Sequence, residues 1–354
     1  MNQNNEFTAG VLRQATRALA GYAARGLLGE YPEAEKVFEP DPFAGWQNWL
    51  AVRLEELAAA IAVNRPRLLI SQVHWGKAVL QAREISPESF RHGLECLREV
   101  LAAELPEQVR SLATEYLDRA LEAFDEPLAD ISTRLLKGTE MGSLASTYLL
   151  VLLEGDRRRA SRLILDALDH GHDVREIYLE VLLPAQEELG RMWLANEINV
   201  AEEHFASQTT KMVMAQLLPR AALRPSNDKT MIAAAVAGNQ HDIGLQAVAD
   251  FFEMDGWRTI FLGADVPARD LVHAVDCFAA DLLGLSVSQT TQFEAVKTAI
   301  RAVRGSATHT EVKILLGGRV FTDPNDLPKE LGGDGCAADP AEAVAVGRKL
   351  LGLD

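Results

Sequence analysis

Three short segments in the last third of the chain carry residue types that could hold a metal-bearing ligand. The first reads Gly238-Asn239-Gln240-His241-Asp242-Ile243-Gly244. An imidazole at a strand-to-helix turn can ligate a metal, and a metal-ligating histidine usually gives its other ring nitrogen to an outer partner that fixes tautomer and orientation. Asn239, two residues upstream, can accept that bond. Gly244 removes a side chain where the following helix would otherwise crowd a ligand. The second segment, Ser286-Val287-Ser288, brings hydroxyls that can bond a buried polar group. The third, Gly317-Gly318, lets a ligand touch backbone. Singly, each has a plain structural use: the histidine as a cap or surface residue, the glycines as servants of a turn.

These segments need a parallel sheet behind them, and the hydropathy pattern predicts one. Residues 230–237 are a continuous apolar run, as expected for a strand buried on both faces. Strand-like runs recur at 258–262, 282–287 and 312–316, alternating with helical stretches at 241–254, 267–279, 291–304 and 340–351. Such alternation means βαβ units. Residues 228–354 are therefore expected to form a doubly wound, flavodoxin/Rossmann-like α/β domain, with ligands at the carboxyl ends of its strands.

Upstream the period is helical throughout. Residues 1–127 predict an all-α domain of five or six helices, over 11–28, 46–63, 66–84, a stretch opened by Ser86-Pro87, and 106–124. Phe90, Leu94, Leu97 and Leu101 share one helix face, and Val109, Leu112, Tyr116 and Leu117 point inward from the next. Asp125-Glu126-Pro127 reads as a hinge. Residues 128–224, broken at Gly138, Gly142, Gly155-Asp156, Gly171 and near Asn196, suit a four-helix bundle with short connections. Pro225-Ser226-Asn227-Asp228 is the next linker.

With 354 residues the chain is too long for one ordinary core. Lys plus Arg is 35 against 51 Asp plus Glu, a formal charge of −16, which argues against nucleic acid as the main partner. No apolar run is long enough to span a membrane, and the N-terminus lacks the pattern of a signal peptide. The 3 cysteines, Cys96, Cys277 and Cys336, form neither a disulfide framework nor a zinc spacing, so a cytoplasmic protein is expected.

Together, the three C-terminal segments resemble the cobalamin-binding motif, in which Asp-x-His-x-x-Gly, Ser-x-Leu and Gly-Gly follow at set spacings. Here 41 residues separate Gly244 from Ser286, and 28 separate Ser288 from Gly317. The resemblance covers about residues 228–352 and implies a cobalamin bound base-off, His-on. His241 would be the lower axial cobalt ligand, with Asn239, Asp242, Ile243 and Gly244 around it. Ser286, Ser288, Gly317 and Gly318 would line the slot for the nucleotide tail. Asn239 stands where the family has a carboxylate, so the partner of His241 is neutral; Ser288 stands where the family has Leu.

In the bundle, Trp193 is followed by nine residues and then Glu203-His204. Alone, such a Trp is usually core and such a Glu-His pair is often solvated. Together they resemble the signature of light-sensing cobalamin domains of the CarH type. The resemblance implies adenosylcobalamin, with Trp193 over the adenosyl group and Glu203 and His204 beside it. Leu194 stands where that family has a cobalt-binding His, which leaves His204 as the candidate upper ligand after light. In place of a DNA-binding domain the chain begins with about 127 acidic, helical residues.

That order resembles the photocobilins, photoreceptors that pair cobalamin with biliverdin, and implies a globin-like first domain. A bilin needs apolar walls, a polar group at its pyrrole nitrogens and cations for two propionates. His74, Trp75 and Arg91 are the candidates, with Arg65, Arg67, Lys77 and Arg83 nearby; Cys96 is a candidate attachment point, more simply read as a buried inert thiol.

The resemblance thus implies a sensor, not an enzyme. Light would cleave the cobalt–carbon bond, repack the bundle, and change the assembly of a homo-oligomer, expected to be a dimer, that signals to an output partner. Two alternatives share the same cofactor fold: a corrinoid methyl carrier of a methyltransferase system, and a cobalamin-responsive antirepressor.

Overall fold

The computed structural model describes residues 3–126, 133, 135, 138–306, 311–321 and 326–353. It divides into two compact units, one of Met1–Asp130 with Leu194–Asn196, the other of Ile131–Trp193 and Glu197–Asp354. Pro127 of the expected hinge, and with it the expected boundary at 127/128, lies outside the described residues.

The first unit is all-α. Its helices are α1 (Gln3–Glu30), α2 (Pro42–Ala62), α3 (Pro66–Ala82), α4 (Glu88–Glu104) and α5 (Glu107–Ala123), with a short 3-10 turn at Pro32–Phe38. Proline opens α2 and α3 at their first turns, where a missing N–H costs nothing. The faces read from the sequence are the buried ones: Phe90, Leu94, Leu97, Leu101 and Leu117 are fully enclosed. Edge-to-face rings run Phe38, Trp46, Trp49, Phe90, Phe124 through the core. Beside them one ion pair is buried, with Arg53 Nε 2.7 Å from Glu56 Oε2 on α2.

The second unit begins with the bundle: α6 (Glu140–Leu153), α7 (Arg157–Asp169), α8 (Val174–Ile177), a π turn (Tyr178–Leu182), α9 (Leu183–Leu194) and α10 (Val200–Leu217). Thr139, Asp156, Asp173 and Asn199 cap the starts of α6, α7, α8 and α10 with their side chains. The π turn has a local cause. Pro184 lacks the N–H that would bond the carbonyl of Glu180, and the backbone widens directly before it.

The sheet follows: β1 (Thr230–Val236), α11 (Ile243–Met254), β2 (Arg258–Val266), α12 (Ala268–Phe278), β3 (Leu282–Ser286), α13 (Phe293–Arg304), β4 (Lys313–Gly317), α14 (Leu327–Glu330), β5 (Gly335–Ala337) and α15 (Pro340–Leu350). Its strands are all parallel in the order β2-β1-β3-β4-β5. The fold class expected from the sequence is the one observed.

Helix α11 belongs to two cores. Ala247, Phe251 and Met254 pack with the bundle, while Leu245, Ala249 and Phe252 pack with the sheet. At this seam the buried Tyr178 phenol lies 2.7 Å from Asp250 Oδ2 and 3.2 Å from Met214 O. Burial, with a smaller push from Glu253, raises Asp250 to about 7 against the lowering effect of the Tyr178 hydrogen bond. The phenol hydroxyl is directed at both acceptors, Asp250 Oδ2 and Met214 O, and shares its one hydrogen between them.

Candidate functional site

In this strand order the chain turns in opposite directions after β1 and β3, and a crevice opens between their carboxyl ends. The His241 loop leaves β1 there. Asn239 is wholly buried in it, and three bonds fix its amide. Asn239 Nδ2 donates to Ser286 O across the crevice floor at 3.0 Å. Asn239 Oδ1 accepts from the His241 backbone N–H at 3.1 Å and faces His241 Nδ1 at 3.3 Å. An amide oriented this way offers only an acceptor to the ring, so Nδ1 carries a hydrogen and Nε2 is the nitrogen left for a metal. The imidazole itself is exposed at the crevice mouth. An imidazole with one nitrogen locked and the other left open is the donor a metal from outside requires.

Neighbouring turns brace this loop. The Gly238 N–H donates to Asp265 Oδ1 at 2.7 Å, and the Asp265 N–H donates to Asn239 O at 3.0 Å. Gln292 Oε1 accepts from the backbones of Ser288 and Gln289, and its Nε2 donates to Gly238 O at 3.1 Å. Gln292 ties the β1 and β3 turns together, yet nothing in its sequence context marked it.

The remaining expected residues sit at the same edge. Ser286 is buried at the end of β3 and pairs in register with Gly317 of β4. Ser288 follows, half-buried. A Cβ on Gly244 would meet nothing within 4 Å, as expected of a position facing open space. Gly318 is glycine for a backbone reason: its φ is +114°, and a Cβ would lie 2.2 Å from Val287 O. Ile243 leans on the bundle core. Asp242 occupies the N-cap position of α11 without making a side-chain cap, and pairs with Lys211 of α10 at 2.5 Å.

The upper-face candidates lie on the bundle. Trp193, at the end of α9, packs partly buried on the bundle core. Glu203 and His204 stand in the first turn of α10. Glu203 Oε1 accepts from Ser207 Oγ at 2.5 Å, and its Oε2 lies 3.6 Å from His204 Nε2. The His204 side chain is 73% exposed.

In the first unit most of the bilin candidates are engaged with other residues of that unit, several of them at the end of α5. His74 Nε2 bonds Ala123 O at 2.7 Å, and Trp75 is 38% exposed. Arg91 pairs with Glu95 and Asp125. Lys77 donates to Phe124 O, and Arg83 to Val79 O. Cys96 is buried, and its thiol is pushed up to about 11 by burial and nearby carboxylates, which makes it inert. Two cavities here, of about 290 and 230 Å³, have charged rims of Glu33, Lys36 and Glu88, and of Glu95, Arg98 and Asp118.

Comparisons with known proteins match the part of the chain that carries the crevice. Residues 229–346 match the model of a B12 binding domain, and residues 144–218 match a second B12 binding domain model. A corrinoid protein of Desulfitobacterium hafniense is 26% identical over 218 residues, 59% of this chain and 98% of that protein. The dimethylamine corrinoid protein of Methanosarcina barkeri is 27% identical over 164 residues, 46% of this chain and 74% of that protein. The structure of the monomethylamine corrinoid protein of Methanosarcina barkeri shares the fold with a TM-score of 0.53, at 21% identity over 59% of this chain and 98% of that one. Both domain matches fall in the second unit, and this unit is a corrinoid-binding module.

Proposed function

We propose that the protein is a corrinoid carrier that holds cobalamin base-off with His241 as the lower ligand and presents the upper face to a partner methyltransferase. The observation that carries this is the Asn239–His241 pair at the β1/β3 crevice, which aims one basic nitrogen outward. The names of the relatives, corrinoid protein and dimethylamine corrinoid protein, support the carrier role. Ser286, Ser288, Gly317 and Gly318 would flank the nucleotide tail, and the bundle would shield the upper face with Trp193, Glu203 and His204. A bound corrinoid supplies a cobalt whose upper position exchanges a carbon ligand. The chain's part is to orient the lower imidazole, exclude water and open the bundle toward a partner.

A second reading is light sensing with adenosylcobalamin, and with biliverdin in the first unit. It is favoured by the Trp193, Glu203 and His204 pattern, and by a helical unit that neither B12 binding domain match covers. In this reading His204, exposed and tied only to Glu203 among the described residues, is the upper ligand after light.

Two loadings of the protein test both. The full-length protein loaded with methylcobalamin is mixed in the dark with a corrinoid-dependent methyltransferase and a thiol acceptor. The protein loaded with adenosylcobalamin and biliverdin is illuminated and sized. Dark methyl transfer without a light-dependent change in assembly supports the carrier. A light-dependent change in assembly without dark transfer replaces it with the sensor.

A further inference from the structure

The His241 loop is held at two ends by different bodies. Upstream, Asn239 ties it to the sheet through Ser286 O. Downstream, the next two residues both reach the bundle: Ile243 leans on its core, and Asp242 pairs with Lys211 Nζ at 2.5 Å. Asp242 is buried, and it forgoes the cap bond its place at the start of α11 offers. A buried carboxylate left without a partner is costly, so its position depends on the lysine.

Lys211 lies on the stripe of α10 that also carries Glu203 and Ser207, at i, i+4 and i+8. The helix that bears the upper-face candidates is therefore bolted, two turns along, to the residue beside the lower-face histidine.

We propose that Lys211 is a positioning residue: through Asp242 it couples docking of the bundle to placement of His241 for cobalt. Undocking α10 removes the lysine, strands the Asp242 carboxylate and lets the loop shift. This rests on His241 being the lower ligand.

The test uses full-length protein loaded with hydroxocobalamin, reduced to the cob(II)alamin form, with ¹⁵N-labelled histidine. The nitrogen splitting in its electron paramagnetic resonance spectrum reports the lower ligand directly. In the wild type the splitting is that of ¹⁵N. Lys211→Met is expected to weaken hydroxocobalamin binding about tenfold, within the usual range of coupling between sites, and to replace much of the ¹⁵N signal. Asp242→Asn should behave alike, and Lys211→Arg should restore the signal. The double variant Lys211→Met/Asp242→Asn should be less impaired than the two single effects combined. Should Lys211→Met misfold by circular dichroism, the Asp242→Asn and Lys211→Arg pair decides.

Singles that keep wild-type affinity and splitting, or effects that simply add, overturn the Lys211 role and leave the carrier reading standing. A wild type that binds hydroxocobalamin without ¹⁵N splitting overturns the His241 assignment and the Lys211 role with it.

Discussion

The turn that bears His241 and the first turn of α10 address the same proposed ligand in opposite ways. In the turn, polar groups bond backbone of another strand: Asn239 to Ser286 O, Gln292 to Gly238 O, Asp265 to the Gly238 N–H. On α10, Glu203 and His204 bond only near neighbours on their own helix among the described residues, and the histidine stands in solvent. The first arrangement is preorganised and the second adaptable. A ligand held permanently on one face and exchanged on the other calls for this division.

Four measurements sharpen or break that contrast. The largest effect belongs to His241→Ala, which should abolish histidine ligation and weaken hydroxocobalamin binding by about 100-fold or more. An unaltered ligand-field spectrum would place the ligand elsewhere.

Asn239→Ala should cost about tenfold in affinity, because the ring loses the acceptor that fixes its tautomer. Asn239→Asp should recover binding and strengthen the ligand field, since a carboxylate makes the imidazole more basic. Equal spectra for the two variants would show that the amide is mere packing.

The seam behind both regions has a pH signature. Asp250 is held at about 7 when folded, against 3.8 for the free group. A carboxyl that binds its proton more tightly when folded contributes most stability at low pH, and that contribution is lost as pH rises from about 4 through about 7. Its full span is at most ~4 kcal/mol. Asp250→Asn should therefore flatten the fall in melting temperature of the apoprotein between about pH 5 and about pH 8. Glu56, raised to about 7 by burial against the opposing pull of Arg53, leaves a residual slope of the same sign. A profile unchanged by the substitution would show Asp250 to be ionised and paired.

The smallest effects are those on α10. Glu203→Gln with His204→Ala should change retention of hydroxocobalamin by less than about threefold, since exposed pairs contribute little. A loss as large as that of Asn239→Ala would make the α10 turn as fixed as the loop, and the contrast would fail.

Much of the site was legible because its spacing is a consequence of βαβ geometry. Residues that end neighbouring parallel strands meet at one edge, so the turn after β1, Ser286 and Gly317 could be placed together from the chain alone. The partner role of Asn239 also followed from its distance along the chain. What stayed hidden depends on packing between elements far apart in sequence. Lys211 and Asp242 lie 31 residues apart and look like ordinary helical charges until α10 and α11 are adjacent. Tyr178 and Asp250 are hidden for the same reason. Strand β5, with its three residues, is too short to show a period. The apolar run at 258–262 continues as strand to Val266 because the edge position tolerates its polar residues.

Residues 219–228 separate the two B12 binding domain matches, and there a geneticist would place a fusion joint. The protein's interior does not respect that joint. Helix α11 gives Phe251 to one side and Phe252 to the other, so cutting at the joint would bare an aromatic surface on each fragment. A chimaera that borrows the sheet without its bundle is expected to precipitate unless Ala247, Phe251 and Met254 are made polar.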